Sequence, residues 1–175
     1  MYNNEFSYTA KPGNKVAQHV LIGLVGSSLI FIIASMLTPK YSGLVWTLAF
    51  ALIVSSIYVY NRYVGAEFCY SVVDTGTLSF VVTQRVGRTV RTMARLDVDS
   101  ITEVKFISAK EYRKHKCDRG VLKYAYFPTM CPETLCLVRM RSAYENADVF
   151  IEADGAFAAA LLEATKRCSD GYDPY

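Results

Sequence analysis

Residues 16–39 read VAQHVLIGLVGSSLIFIIASMLTP and residues 41–61 read YSGLVWTLAFALIVSSIYVYN, and neither stretch contains Asp, Glu, Lys or Arg. An apolar helix needs roughly 20 residues to cross the hydrocarbon core of a membrane, so each stretch is long enough. A signal peptide would have an apolar core of only about 7–15 residues. The sequence therefore predicts a juxtamembrane segment over residues 1–15 and two transmembrane helices, over residues 16–38 and 42–63.

The charges that flank the two stretches predict their orientation. Lys11 and Lys15 precede the first stretch, Arg62 follows the second, and only Lys40 lies in the connection. Because positive charge near span ends favours the cytoplasmic side, we expect a cell-membrane protein with both termini in the cytoplasm. The short connection predicts an antiparallel hairpin. The first helix also offers a small-residue surface where helices can approach closely, or which would pack on a larger partner if the protein is a subunit of a membrane complex: Gly23, Gly26 and Ser27.

The part of the chain after the spans carries no net charge, since residues 66–175 contain 15 basic and 15 acidic residues. This balance argues against a general nucleic-acid-binding domain. All the cysteines lie in this part, at irregular spacing and in an odd number: Cys69, Cys117, Cys131, Cys136 and Cys168. In a reducing compartment this pattern favours reduced, mostly buried thiols over a disulfide framework.

The sequence pattern changes from helical to alternating after residue 65. Apolar residues alternate on both sides of the turn signal Asp74-Thr75-Gly76, which predicts a β-hairpin over residues 67–83. Residues 108–120 are polar and are expected to form a loop or a short helix. Further strands are expected over residues 90–96, 101–106, 121–127, 134–141 and 147–152.

The strand expected over residues 90–96 divides into two faces by simple alternation. Its inner face would carry Val90, Thr92, Ala94 and Leu96. Its outer face would carry Arg91, Met93 and Arg95.

The last element is predicted to be a helix that starts after Asp154, whose side chain can cap it. Phe157, Leu161, Ala164 and Cys168 recur at i, i+4, i+7 and i+11, so they share one face, expected to pack on the core. Residues 171–175 would form a tail.

Seven short strands followed by one helix, over residues 66–170, follow the element order of a pleckstrin-homology-like domain. With the span hairpin in front, and the segment FSYTAKP at residues 6–12, the chain resembles small bacterial membrane proteins that carry two transmembrane helices and such a cytoplasmic domain. The resemblance implies an α+β fold: a bent antiparallel sheet of about seven strands capped by a C-terminal helix.

Signals for chemistry are sparse. One candidate metal set combines a loop with the start of a strand: His115, Cys117, Cys131 and Cys136. Its spacing departs from the close Cys pairs of structural zinc sites, so a core thiol is the competing interpretation of Cys136. The sequence has no Gly-rich phosphate loop and no paired carboxylates on a recognisable scaffold. We expect a non-enzymatic protein without a cofactor.

Basic residues form the main candidate surface, because residues 85–123 contain eleven basic and five acidic residues, and residues 124–175 four basic and eight acidic. Such clusters near a membrane attract anionic lipid headgroups. The alternative is a solvated face whose charges pair with the acidic C-terminal half. The candidate contacts are Arg85, Arg88, Arg91, Arg95, Lys110, Arg113, Lys114, Lys116, Arg119 and Lys123. The phosphoinositide site of eukaryotic relatives needs basic residues around the first hairpin loop, which here is the acidic turn Asp74-Thr75-Gly76.

The leading hypothesis is a membrane-tethered interaction module that presents its domain at the inner leaflet to a protein or to anionic lipid. A free strand edge within residues 129–141 would let a peptide add to the sheet. Two alternatives stay open: a small accessory subunit of a membrane transport or envelope complex that acts through its spans, and a metal- or redox-responsive regulator that uses the cysteines.

Overall fold

The computed structural model describes residues 3–11, 15–37, 41–118, 120–142 and 146–169. The chain begins with strand β1 (Asn3–Ala10) and continues into two long helices, α1 (Lys15–Leu37) and α2 (Ser42–Val59). The β-rich part then contains seven strands and two helices, in this order: β2 (Ala66–Asp74), β3 (Leu78–Val86), β4 (Thr89–Asp97), β5 (Ile101–Ser108), α3 (Ala109–Cys117), β6 (Leu122–Tyr126), β7 (Thr134–Arg141), β8 (Asn146–Ile151) and α4 (Gly155–Ser169).

Helices α1 and α2 are both long and apolar enough to cross a membrane. They pack on each other through small residues, and the buried positions include Ser28 and Ser35 of α1 and Ala49 and Ser56 of α2. The serine hydroxyls donate to carbonyls of their own helices, for example Ser28 Oγ to Val25 O at 2.7 Å. Small side chains therefore allow the close approach, as in other apolar helix pairs.

Gly23 and Gly26, predicted as a surface for close helix approach, do not take part in the contact between α1 and α2. A methyl group added at Gly23 or Gly26 would meet no atom within 4 Å, so both face open space. The small size of glycine made Gly23 and Gly26 candidates for close helix packing. The register of the two helices instead places Ser28, Ser35, Ala49 and Ser56 at buried positions.

The segment before α1 is not separate from the domain, in contrast to the boundary expected at residue 15. Strand β1 pairs antiparallel with β2, and Tyr8 lies opposite Tyr70 in the register. The rings of Phe6 and Phe157 are 5.4 Å apart, which places these aromatic side chains in the domain and not at a membrane surface. The helical hairpin is therefore inserted between the first two strands of one sheet.

The strands form two four-stranded sheets, with orders β1-β2-β3-β4 and β5-β7-β8-β6. The first sheet is antiparallel throughout, whereas β6 pairs parallel with β8 in the second. The expected single antiparallel sheet of about seven strands is thus replaced by eight strands in two sheets. The expectation failed because β1 lies before α1 and because α3 carries the chain from β5, at one edge of the second sheet, to β6, at the other.

The main core lies between the sheets and under α4. Phe157, Leu161 and Ala164 are buried as predicted, and Cys168 packs partly against them. Asp154 caps α4, since its Oδ1 accepts the backbone N–H of Phe157 at 2.7 Å. The predicted hairpin turn is also confirmed, because Asp74 Oδ1 accepts from Gly76 N at 2.8 Å and Gly76 has a φ of 92°.

A β-bulge changes the face of β4 halfway along the strand. Val82 pairs with Ala94 but Thr83 pairs with Thr92, so Met93 has no partner. Residues on opposite sides of a bulge reverse their alternation. Ala94 and Leu96 face the core as predicted, whereas the assignment of Val90, Thr92 and Arg91 is reversed: Arg91 shares the core-side face with Gln84, its partner on β3.

Candidate functional site

Arg62 joins the end of α2 to the domain. After α2 the chain makes a π-helical turn, Tyr60–Val64, that leads directly into β2. The guanidinium of Arg62 donates to the carbonyl of Ala125 on β6 and lies over the ring of Phe68, 4.9 Å from its centroid. One side chain thereby connects the helical hairpin with both sheets.

The helix end of the first sheet is the end where the chain enters and leaves the helical hairpin. It is marked by Ala10, Ala66, Val86 and Thr89, because Ala66 pairs with Val86 and Val86 with Thr89. The turn between β3 and β4 belongs to this end, whereas the turn between β2 and β3 lies at the opposite end.

Helix α3 forms within the polar segment because local capping favours it. Ser108 and Glu111 form a capping box, in which each side chain binds the backbone N–H of the other residue. Tyr112 packs edge-on against Phe127 and Phe150, with centroids 5.8 and 4.8 Å away. Burial raises the pKa of Tyr112. Tyr112 packs on the same apolar cluster as Ala125, whose carbonyl accepts from Arg62, so this cluster connects α3 with the turn that follows α2.

The opposite face of α3 is basic. Lys110, Arg113, Lys114 and Cys117 are exposed and fall at i, i+3, i+4 and i+7, which places them on one face. Lys116 is also exposed, on the flank of this face. Within the described part of the chain, none of these four cations forms a salt bridge. These four cations therefore do not show the pairing with the acidic C-terminal half that was the alternative expectation, whereas His115 of the same helix lies 3.7 Å from Asp148.

The four arginines of the β3–β4 hairpin do not form one continuous surface. Arg95 donates to Thr75 Oγ1 at 2.8 Å, in the turn at the far end of the first sheet. Arg85, Arg88 and Arg91 lie at the helix end, with Arg85 Nε 3.3 Å from Gly87 O. The predicted basic set therefore separates into a group at the helix end and Arg95 away from it.

Two other residues of the predicted basic set, Lys123 and Arg119, belong to neither of these groups. Lys123 Nζ donates to the carbonyls of Lys116 and Asp118, so it caps the C-terminal end of α3. A cation stabilises a helix C-terminus, and this role is structural. Arg119 lies outside the described residues.

A cleft opens between the end of α2 and the β3–β4 hairpin. It has a volume of about 330 Å³ and is lined by Asn61, Gln84, Val86, Thr89 and Arg91. Four of these side chains are polar, and the bulge in β4 puts Arg91 on the face that borders the cleft. Sequence reasoning selected Arg91 but missed the other lining residues, which no local pattern connects.

The second sheet carries an ion-pair network that the sequence did not indicate. Arg139 Nε donates to Asp148 Oδ1 at 2.9 Å, and its Nη1 to Glu103 Oε2 at 2.7 Å. Asp148 is 3% exposed, and Nδ1 of His115 lies 3.7 Å from its Oδ2. The Lys105 ammonium, followed by the charge of Arg139, holds the pKa of Glu103 below its usual range.

The candidate metal set does not come together. Cys136 is fully buried in the main core, and burial raises the pKa of its thiol to about 12. Cys117 and Cys131 are exposed, and His115 packs beside Phe150. Among the residues that the structure describes, no three His, Cys, Asp or Glu side chains are arranged to hold a metal ion. The expectation of mostly buried thiols holds for Cys136 alone, since Cys69 and Cys168 are half-buried.

The expected free edge within residues 129–141 is also corrected. Strand β7 lies between β5 and β8, so both of its edges are paired. The edge strands are β1 and β4 in the first sheet and β5 and β6 in the second.

Comparison of this chain with models of protein families, with curated proteins and with solved structures finds no match.

Proposed function

We propose that this protein is a non-enzymatic, membrane-tethered interaction module. In this proposal α1 and α2 cross the cell membrane, and a pleckstrin-homology-like domain lies at the cytoplasmic face. There, the basic face of α3 contacts anionic lipid headgroups. The observation that carries the proposal is the set of exposed cations on α3 that form no salt bridge among the described residues, on a helix that shares an apolar cluster with Ala125, the partner of Arg62.

The surfaces of α1 and α2 support membrane insertion. Only 11% and 17% of their most apolar windows are buried, in contrast to the core helix of a soluble protein. Large apolar side chains such as Ile22, Met36 and Phe50 are at least two-thirds exposed. Water would make such surfaces costly, whereas lipid would cover them.

The position of β1 argues against a cleaved signal sequence. Cleavage after α1 would remove β1 together with the helix, and β2 would lose its antiparallel partner. Phe6 and Tyr8 would also leave the core, where their rings contact Phe157. An uncleaved hairpin keeps the first sheet complete.

The orientation rests on charge and on the lipid composition of the two leaflets. Lys11, Lys15 and Arg62 lie at the domain end of the helices. Anionic lipids of the cytoplasmic leaflet attract basic residues by about 1 kcal/mol each. Both arguments favour a domain on the cytoplasmic side.

The test uses the full chain in lipid nanodiscs, with an environment-sensitive fluorophore on Cys117 and the other four cysteines replaced. Cys117 shares the exposed face of α3, so its fluorophore reports contact with the bilayer. Emission should shift to the blue in discs that contain phosphatidylglycerol, and not in discs of phosphatidylcholine alone. High salt should reverse the shift, since charges are screened over about 8 Å at physiological ionic strength.

The matched variant replaces Lys110, Arg113 and Lys114 together by Gln, and should remove the shift. An emission that ignores lipid charge in the unchanged protein would refute lipid contact by α3. Protein binding would then be the hypothesis to pursue, at the free edge of β5, where Phe106 is 49% exposed.

A further inference from the structure

We infer that the cleft between α2 and the β3–β4 hairpin binds the phosphate group of an anionic membrane phospholipid. This inference rests on the proposed function, because it requires the helix end of the domain to lie at the level of the headgroups. It adds a defined site to the diffuse attraction expected of α3.

The chemistry of the lining fits a phosphate. Arg91 supplies a guanidinium, whose planar set of N–H groups binds phosphate oxygens in pairs. Asn61 and Gln84 add amide N–H donors, and Thr89 adds a hydroxyl. Among the described residues that line the cleft there is no carboxylate, so none of them repels an anion.

The donors are free to take a ligand. Within the described part of the chain, no hydrogen bond or salt bridge links Arg91, Gln84, Thr89 or Asn61 to another side chain. Two other cations of the predicted basic set, both away from the cleft, are engaged instead, since Arg95 binds Thr75 and Lys123 caps α3. Arg88, in the exposed turn at the rim, adds positive charge.

The position of the cleft selects a lipid over a free anion. Asn61 lies in the π-helical turn that directly continues α2, so one wall of the cleft is the end of a membrane-spanning helix. A headgroup in the adjacent leaflet reaches this level while its acyl chains stay beside α2. Val86 provides an apolar contact for the glycerol end.

The bulge in β4 creates this site, because it places Arg91 on the side of the cleft. Without the extra residue Met93, strict alternation would place Arg91 on the same face as Arg95, away from the cleft. The single inserted residue instead turns the guanidinium towards α2.

The experiment is native mass spectrometry of the full chain in detergent, titrated with phosphatidylglycerol or with phosphatidylcholine of the same acyl chains. Both lipids carry a phosphodiester, but the choline group of phosphatidylcholine adds a positive charge that Arg91 repels. We therefore expect preferential binding of phosphatidylglycerol, weakened about tenfold by Arg91→Gln, because a charge-assisted hydrogen bond is lost. Gln84→Glu should weaken binding at least as much by repulsion. Arg95→Gln, on the same strand but at the far end, should change nothing.

The outcomes separate the cleft from the proposed function. If the triple Gln variant of α3 abolishes the preference while Arg91→Gln and Gln84→Glu leave it intact, the cleft is overturned and the proposed function stands. If the unchanged protein shows no preference for the anionic lipid, both fail. If inorganic phosphate displaces the lipid at equal concentration, the cleft binds free anions and the lipid assignment is overturned. If the variants keep the thermal unfolding midpoint of the unchanged protein, their loss of binding results from the altered site and not from unfolding.

Discussion

The guanidinium of Arg62 lies over the ring of Phe68, and its carbon is 4.9 Å from the ring centroid. The same side chain donates to Ala125 O on β6. It holds the end of α2 against both sheets, which fixes the height of the domain relative to the helices.

Arg62→Met should loosen this junction. The variant keeps an apolar stem over Phe68 but loses the charged hydrogen bond to β6, a loss of about 1.5–3 kcal/mol. We expect a lower unfolding midpoint and faster amide exchange in β6, measured by hydrogen–deuterium exchange of the full chain. Arg141→Met, at an exposed position of β7, serves as the control. Equal exchange in β6 of both variants would contradict the role assigned to Arg62.

Phe157→Ala should destabilise the domain strongly. Its ring lies within 5.4–6.3 Å of the rings of Phe6, Tyr8, Tyr70 and Phe80. Truncation of a buried Phe costs about 3–5 kcal/mol, a large share of the roughly 5–15 kcal/mol available to a domain. Glu163→Ala is the matched control on the exposed face of α4, where the pair with Arg167 contributes about 0–1 kcal/mol. Similar midpoints for the two variants would show that α4 does not pack as described.

The insertion of the helices between β1 and β2 predicts which soluble fragment folds. A fragment that starts at residue 66 lacks β1, so it exposes one edge of β2 and part of the surface around Phe157. A fusion of residues 3–11 through a short Gly-rich turn to residues 65–169 restores the antiparallel pair. We expect the fusion to unfold cooperatively and the shorter fragment to aggregate or to bind a hydrophobic dye. A shorter fragment as stable as the fusion would disprove the structural role of β1.

Arg139→Met should lower the free energy of unfolding, because it leaves a buried charge without its partner. Asp148 is almost fully buried and would lose its guanidinium partner, which typically costs about 3–5 kcal/mol. Arg167→Met, at a surface pair, should cost far less. The measurement is the free energy of unfolding in denaturant. Arg139 and Arg167 variants of equal stability would argue against the network.

The pH dependence of the same network follows from Glu103. Its pKa is below the usual range because Lys105 binds it and Arg139 lies close. A carboxyl with a lowered folded-state pKa contributes stability above its ordinary pKa and loses that contribution as the pH falls through the folded value. The acid-induced loss of stability should therefore be smaller in Glu103→Gln than in the unchanged protein. Identical acid profiles would show that Glu103 makes no such contribution.

Alkylation should distinguish the cysteines. The thiolate is the reactive form, and burial raises the pKa of Cys136 to about 12, so this residue stays protonated and enclosed at pH 9. Cys117 and Cys131 are exposed and should react with iodoacetamide in the folded protein. Because the folded pKa of Cys136 lies above its ordinary value, its contribution to stability falls as the pH rises beyond that ordinary value. Peptide mass spectrometry that finds Cys136 labelled before unfolding would contradict its place in the core.

Features with a local signal were predictable from the sequence. The turn at Asp74 and Gly76 and the apolar face of α4 depend on residues a few positions apart, and the structure contains both. The basic face of α3 was identified only as a group of cations, because its helical form depends on a capping box and on packing against Phe150.

Features that depend on distant residues were missed. Strand β1 is largely polar, and only its partner β2, beyond the helical hairpin, shows that it is a strand. The bulge at Met93 is equally invisible in the strand itself, since it arises from the register against β3. The expected metal set failed for the same reason, because Cys136 faces the core while Cys117 and Cys131 are exposed.

The sequence by itself determined two helices able to cross a membrane, an α+β domain after them, and a local excess of positive charge, because uninterrupted apolar runs, alternation and composition need no partner. Only the tertiary structure decided that the helices divide the first sheet, that Arg91 faces α2 while Arg95 lies at the far end, and that Asp148 is buried against Arg139. These are consequences of strand register and of contacts between segments more than 30 residues apart in several cases, such as Arg62 with Ala125, 63 positions away. Such pairings depend on the packing of the whole domain, and they produce no periodic pattern of residues along the sequence.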